Sequence, residues 1–125
     1  MSKILIIDDD PANRDILRAR LEAAGHEVAE AHDGEKGFQL LVAGRPDLVF
    51  LDVMMPRVDG WQICRKIKNN AETKAIPVVM LTALSQQIDQ LRGYESGADD
   101  FMTKPWDTGR LMAVLGKLLP QAKNV

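Results

Sequence analysis

The chain predicts a doubly wound α/β fold, a five-stranded parallel sheet covered by helices on both faces. Short apolar runs rich in Ile and Val alternate five times with stretches of helical periodicity. The runs Ile4–Ile7, Leu48–Leu51 and Val78–Leu81 are continuously apolar, which is how strands buried on both faces of a parallel sheet read. Four runs also end at residues able to do phosphate or metal chemistry. Ile4–Ile7 ends at Asp8-Asp9-Asp10, Leu48–Leu51 at Asp52, Val78–Leu81 at Thr82, and Phe101–Thr103 at Lys104-Pro105. In parallel strands these ends share one edge of the sheet, where open α/β sheets bind their ligands.

Each element has its own signals. Ile4–Ile7 is the first strand. Pro11 opens a helix whose stripe of Ile16, Leu17, Leu21 and Ala24 is to face the core, and Gly25 stops it. Glu27–Ala31 alternates in polarity, as suits a second strand at an edge. Gly34–Ala43 is a second helix, with Phe38, Leu41 and Val42 on one face and Gly44 after it. Pro46 introduces the third strand, Asp47–Leu51, and Trp61–Lys68 is a third helix turning Ile63, Cys64 and Ile67 inward. Pro77–Leu81 is the fourth strand. Gln86–Ser96 is a fourth helix carrying Ile88 and Leu91 and ended by Gly97. Asp100–Thr103 is the fifth strand, and Thr108–Leu119 a last helix with Leu111, Val114, Leu115 and Leu118 at helical spacing. Right-handed crossovers and a common doubly wound arrangement give the strand order 2-1-3-4-5. Residues 1–125 read as one domain, with its core over residues 3–119 and a short tail from Gln121.

Bulk properties exclude several classes. A chain of 125 residues buries roughly 65–70% of its unfolded surface, enough for a real core. The net charge of −2 gives no bulk attraction to nucleic acid or a membrane surface. Cys64 is the one cysteine, so an internal disulfide and a cysteine-rich metal site are excluded. Only four apolar residues separate Lys3 from three aspartates, which is no signal peptide. No stretch approaches the ~20 apolar residues of a membrane span. The expectation is a cytoplasmic protein.

The strand ends carry the chemistry. Converging carboxylates repel one another and rise in pKa unless a cation joins them, and Mg²⁺ prefers such oxygen ligands. Asp8, Asp9 and Asp52 therefore make a candidate Mg²⁺ site, with Mn²⁺ as a substitute. Taken alone, Asp8–Asp10 also reads as a solvated turn capping the helix at Pro11. Asp52 sits between Leu48–Leu51 and Val53-Met54-Met55-Pro56, an apolar setting in which a carboxylate can act as nucleophile and form an acyl phosphate. Phosphoryl transfer needs charge neutralisation, which a metal and Lys104 could supply. Thr82 offers a hydroxyl to a phosphoryl oxygen. Pro105 restricts Lys104 to extended geometry. Alone, Thr82 reads as a β-branched strand residue and Lys104 as a surface lysine; their joint placement at strand ends favours a site.

Four segments together resemble the receiver domain of two-component response regulators, the CheY-like, flavodoxin-like fold. They are Ile-Leu-Ile-Ile-Asp-Asp-Asp at 4–10, Leu-Asp-Val-Met-Met-Pro at 51–56 with Asp59-Gly60, Leu-Thr-Ala at 81–83, and Gly-Ala-Asp-Asp-Phe-Met-Thr-Lys-Pro at 97–105. The resemblance implies a phosphorylation-dependent signalling switch rather than an enzyme. It implies Asp52 as phosphoacceptor, taking phosphate from a histidine kinase or phosphotransfer protein. Asp8 and Asp9 would hold Mg²⁺ with Asp52 and the backbone carbonyl of Met54, and Asp10 is given no metal role. Thr82 would be the switch hydroxyl, Phe101 its aromatic partner, and Lys104 the partner of the phosphoryl oxygens. Met54 and Leu84 occupy positions that tune phosphoryl lifetime; both are apolar, so slow autodephosphorylation is expected. Phosphorylation would alter the surface formed by the fourth helix, fifth strand and last helix.

Output is read by analogy. Asp99 and Asp100 suit a dimer seen in DNA-binding regulators, yet Gln86, Gln87 and Gln90 and a last helix with few basic residues argue against it. Leu51–Pro56, Cys64-Arg65-Lys66 and Tyr94–Ala98 look more like receivers attached to diguanylate cyclases or hybrid kinases. The expectation is a monomer or weak homodimer, with no direct nucleic-acid contact and no membrane. Three alternatives compete. Asp8-Asp9-Asp10 also reads as the Asp-x-Asp of a haloacid-dehalogenase-type phosphatase, against which stand Ala12 and the lack of room for a cap domain. An FMN-binding flavodoxin-like module shares the sheet order, but three carboxylates would repel its phosphate. The third is an unphosphorylated scaffold, against which stand the intact Asp8, Asp9, Asp52, Thr82 and Lys104.

Overall fold

Five parallel strands form one sheet in the spatial order Glu27–Ala31, Lys3–Ile7, Leu48–Asp52, Val78–Thr82 and Asp100–Thr103, the arrangement the alternating pattern predicts. The computed structural model describes residues 1–55, 58–82, 95–104 and 106–119. Its elements are β1 (Lys3–Ile7), α1 (Pro11–Ala23), β2 (Glu27–Ala31), α2 (Gly34–Gly44), β3 (Leu48–Asp52), β4 (Met54–Met55), β5 (Val58–Asp59), α3 (Gly60–Lys68), β6 (Val78–Thr82), β7 (Asp100–Thr103) and α4 (Thr108–Leu118). Most of the helix expected over 86–96, together with Leu84, Pro105 and the tail 121–125, lies outside the described residues.

Alternation along the strands divides the core. Ile4, Ile6, Phe50, Val79, Leu81 and Met102 face α1 and α4, where they meet Leu17, Leu21, Leu111 and Val114. Leu5, Ile7, Val49, Leu51 and Met80 face α2 and α3, against Leu41, Ile63, Cys64 and Ile67. Every residue of β3 and β6 is buried, which is why their sequences carry no polar alternation. β2 pairs only with β1 and keeps Glu27 and Ala29 exposed, as an edge strand does.

Helix ends follow local chemistry. Asp10 caps α1, its side chain accepting from the Ala12 N–H. At the other end Gly25 takes φ +92°, its N–H donates to the Glu22 carbonyl, and the His26 N–H donates to that of Leu21, the paired bonds of a Schellman stop. Asp33, Asp59 and Asp107 cap α2, α3 and α4. The stripe expected on α1 is narrower than predicted. Leu17 and Leu21 are buried, but Ile16 is half exposed and Ala24 exposed. α1 meets the sheet along one narrow seam, and Ile16 lies beside it on the flank lined by Asn13, Arg20 and Trp106. Phe38, Val42 and Leu118 are only partly buried, at the rims of their helix contacts.

Candidate functional site

Strand register brings the predicted residues to one edge. Ile7 pairs with Leu51, Asp52 with Leu81, and Thr82 with Thr103. Asp8, Asp52, Thr82 and Lys104 therefore emerge from four neighbouring strands at one level. Ligand oxygens of Asp8, Asp9 and Asp52 lie within 4.8 Å of one another. Asp8 and Asp52 are buried, and Asp9 is partly exposed at the rim.

One ammonium answers these acids. Lys104 Nζ lies 3.2 Å from Asp8 Oδ2 and 3.2 Å from Asp52 Oδ1. Its backbone N–H donates to the Thr82 carbonyl at 2.6 Å, so β7 leaves the sheet with this side chain beside β3 and β6. The Asp10 N–H donates to Asp8 Oδ1 at 2.9 Å, and the Met54 N–H to Asp52 Oδ1 at 3.2 Å. Burial pushes the Asp52 carboxyl up to about 6, with the charge of Asp8 adding; Lys104 and the Met54 N–H pull the other way. Among the described residues, three carboxylates against one ammonium leave a surplus of two negative charges. An all-oxygen donor set with that surplus fits a hard divalent cation.

The surroundings show what sequence reasoning missed. β4 and β5 form a short antiparallel pair, Met54 opposite Asp59, directly after Asp52. It presents Met54, 66% exposed, while Met55 is buried. Gly60 begins α3 so close to β3 that a β-carbon there would lie 2.3 Å from the Asp52 carbonyl oxygen. The only signal for this was the Asp-Gly pair at 59–60. Thr82 is buried at the end of β6. Phe101 is half-buried against the α2–α3 side of the core, and its carbonyl accepts from Arg110 Nη2 at 2.8 Å. Asp99 and Asp100 are engaged within the chain: Asp99 Oδ2 meets Lys68 Nζ at 2.7 Å, and Asp100 meets Arg110 at 2.9 Å and Lys117 at 3.4 Å. The two basic residues of α4 thus both turn to Asp100.

Comparison with known proteins decides the family. The family model for the response regulator receiver domain matches residues 4–116. The chain is a response regulator receiver domain. It is 46% identical over 125 residues to the DNA-binding dual master transcriptional regulator RpaA of Synechocystis, covering all of this chain and 52% of that protein. It is 46% identical over 112 residues to the response regulator PleD of Caulobacter vibrioides, covering 90% of this chain and 25% of that protein. The chain thus spans about half the length of the first relative and a quarter of the second. Among solved structures it resembles the chemotaxis protein CheY4 of Vibrio cholerae, with TM-score 0.89 and 28% identity over 95% of this chain and 99% of that one. A sensor histidine kinase receiver from Pseudomonas aeruginosa, described with magnesium coordinated in its active site cleft, matches with TM-score 0.86 and 26% identity over 94% and 96% of the two chains.

Membership sets aside the phosphatase and flavin-binding alternatives, and the CheY-like fold stands as expected. Receivers of this family are phosphoryl-accepting switches that bind Mg²⁺ in an acidic pocket and work with histidine kinases or phosphotransfer proteins. A relative named as DNA-binding limits the expectation of no nucleic-acid contact to these 125 residues. Among the described residues no helix is long and apolar enough to cross a membrane.

Proposed function

We propose that this receiver takes a phosphoryl group from a histidine kinase or phosphotransfer protein onto Asp52, with Mg²⁺ or Mn²⁺ held by Asp8, Asp9, Asp52 and the Met54 carbonyl. The observation that carries the reading is the Lys104 ammonium set 3.2 Å from both Asp8 and Asp52 beside three convergent carboxylates. Asp52 Oδ1 already takes the Met54 N–H and Lys104, so Oδ2 is the attacking atom. It forms an O–P bond as the P–N bond of phosphohistidine breaks, and the imidazole nitrogen leaves with the electron pair. Asp8, Asp9 and Asp52 would hold a divalent cation, which would supply charge neutralisation for the phosphoryl group. Lys104 exchanges a carboxylate for a phosphoryl oxygen, and Thr82 at the end of β6 donates its hydroxyl to another.

The switch follows from these partners. The acyl phosphate gives Thr82 and Lys104 a new acceptor, and Phe101 rotates inward as Thr82 moves. The surface of β7 and α4 then changes for an output domain or downstream protein, the helix expected over 86–96 that would share it lying for the most part outside the described residues. Residues 3–119 act as one receiver domain in the cytoplasm, as a monomer or weak homodimer. Met54 and Leu84 are apolar and hold no water in line with phosphorus, so autodephosphorylation is slow. Incubation with acetyl phosphate and Mg²⁺, followed by peptide mapping, tests the assignment. Label on Asp52, lost in Asp52→Asn, supports it; label elsewhere overturns it, and no label overturns it in favour of a scaffold. Met54→Asn shortens the phosphoryl half-life several-fold; a wild-type half-life of seconds sinks the slow-decay reading.

A further inference from the structure

The Asp8–Asp9 turn is held from outside the acidic cluster. Arg14, one turn into α1, sends Nη1 to the Asp8 carbonyl oxygen at 2.7 Å. Its Nε reaches Glu30 Oε1 on β2 at 3.1 Å, and both side chains are largely buried. Asp8 is otherwise pinned through its N–H, which donates to the Ala31 carbonyl at 3.1 Å, and through both carboxylate oxygens. Among these bonds, that from Arg14 alone fixes the plane of the peptide joining Asp8 to Asp9. That plane sets the direction in which Asp9, at the rim, leaves the chain.

We infer that Arg14 is a positioning residue for cation binding: its guanidinium, braced by Glu30, locks the Asp8–Asp9 peptide so that both carboxylates stay converged. The inference rests on the metal assignment proposed above. Neighbours that orient ligands without touching the metal typically contribute 10–100-fold to affinity. The direction of the effect is diagnostic. Loss of a positive charge beside an acidic cluster would by itself tighten cation binding, so weaker binding in an Arg14 variant reports lost positioning. Arg18 supplies an internal control. It also pairs with Glu30, and with Glu22 at 3.3 Å, but makes no described contact with the turn.

The test is isothermal titration of MgCl₂ into the unphosphorylated protein, wild type against Arg14→Gln, Arg14→Lys and Arg18→Gln, with circular dichroism to confirm folding. Arg14→Gln raises the Mg²⁺ dissociation constant about 10-fold. Arg14→Lys, which keeps one donor for the carbonyl, recovers part of the loss and keeps the test open should the Gln variant misfold. Arg18→Gln stays within about twofold of wild type. Unchanged or tighter binding in both Arg14 variants overturns the inference, as does an equal loss in Arg18→Gln. A wild-type protein that takes up no Mg²⁺ overturns the site assignment itself, which separates the two failures.

Discussion

The two rims of the sheet solve opposite problems with similar residues. At the N-terminal rim the backbone N–H groups of Ser2, Lys3 and Glu27 each meet an acceptor within the chain. The Lys3 N–H donates to Asp47 Oδ2 at 2.8 Å, the Ser2 N–H to His26 Nδ1 at 3.2 Å, and the Glu27 N–H to the Ser2 carbonyl at 2.9 Å. At the C-terminal rim three carboxylates share one ammonium, and burial drives one of them toward neutrality. One rim is closed by its own bonds; the other holds electrostatic tension that an added cation relieves. Binding capacity lies where the fold is least satisfied.

Four substitutions break or sharpen this contrast. The largest effect is expected from Gly60→Ala, whose added carbon meets the Asp52 carbonyl at 2.3 Å. Backbone cannot yield as a side-chain tip can, so a loss of about 3 kcal/mol is expected, read as a fall in urea midpoint, with Mg²⁺ binding lost too. Next comes Asp52→Asn in metal-free buffer, which stabilises. The folded Asp52 carboxyl is harder to ionise than the unfolded one, so its contribution is fully present below pH 3.8 and lost as pH rises through about 6. Removing the charge gains roughly 1–2 kcal/mol at pH 7.5, or several degrees in Tm. The gain disappears near pH 4 and shrinks in saturating Mg²⁺.

The other rim gives smaller effects. Asp47→Ala removes the acceptor of the Lys3 N–H and costs about 1 kcal/mol, with no change in Mg²⁺ affinity by titration. His26→Gln is the smallest, within about 0.5 kcal/mol at pH 7.5. Burial holds the His26 pKa below 6.5, so its contribution is present above pH 6.5 and lost as pH falls through the lowered folded value. Thermal melts from pH 7.5 to 5 should show this acid-side loss reduced in the variant. Acidification thus favours folding through Asp52 at one rim and opposes it through His26 at the other.

Much of this was legible because burial leaves a plain record. β3 and β6 are covered on both faces, and their residues are apolar almost without interruption, so Asp52 and Thr82 stood out as the first polar residues at their ends. Register did the rest, since parallel pairing leaves those ends at one level. What remained hidden depends on backbone approach. The contact of Gly60 with the Asp52 carbonyl, and that of Gly37 with Ile7, where a β-carbon would sit 2.4 Å from Cδ1, involve a missing side chain and so leave no pattern. The β4–β5 pair is too short for periodicity. Ile16 misled because helical spacing identifies a face, whereas the width of the buried seam is set by the sheet. Arg14 reads as a surface charge until the Asp8 carbonyl is placed beside it.

The bond between Lys104 and Asp8 joins residues 96 positions apart. Closing so long a loop adds little entropy cost beyond that of a loop half its length, but it sets an order of events during synthesis. A nascent chain emerging at 5–20 residues per second displays Asp8, then Asp52, seconds before their counter-charge exists outside the ribosome. The sheet can begin to zip from β1 to β3, yet its acidic rim stays uncompensated until the last strand arrives.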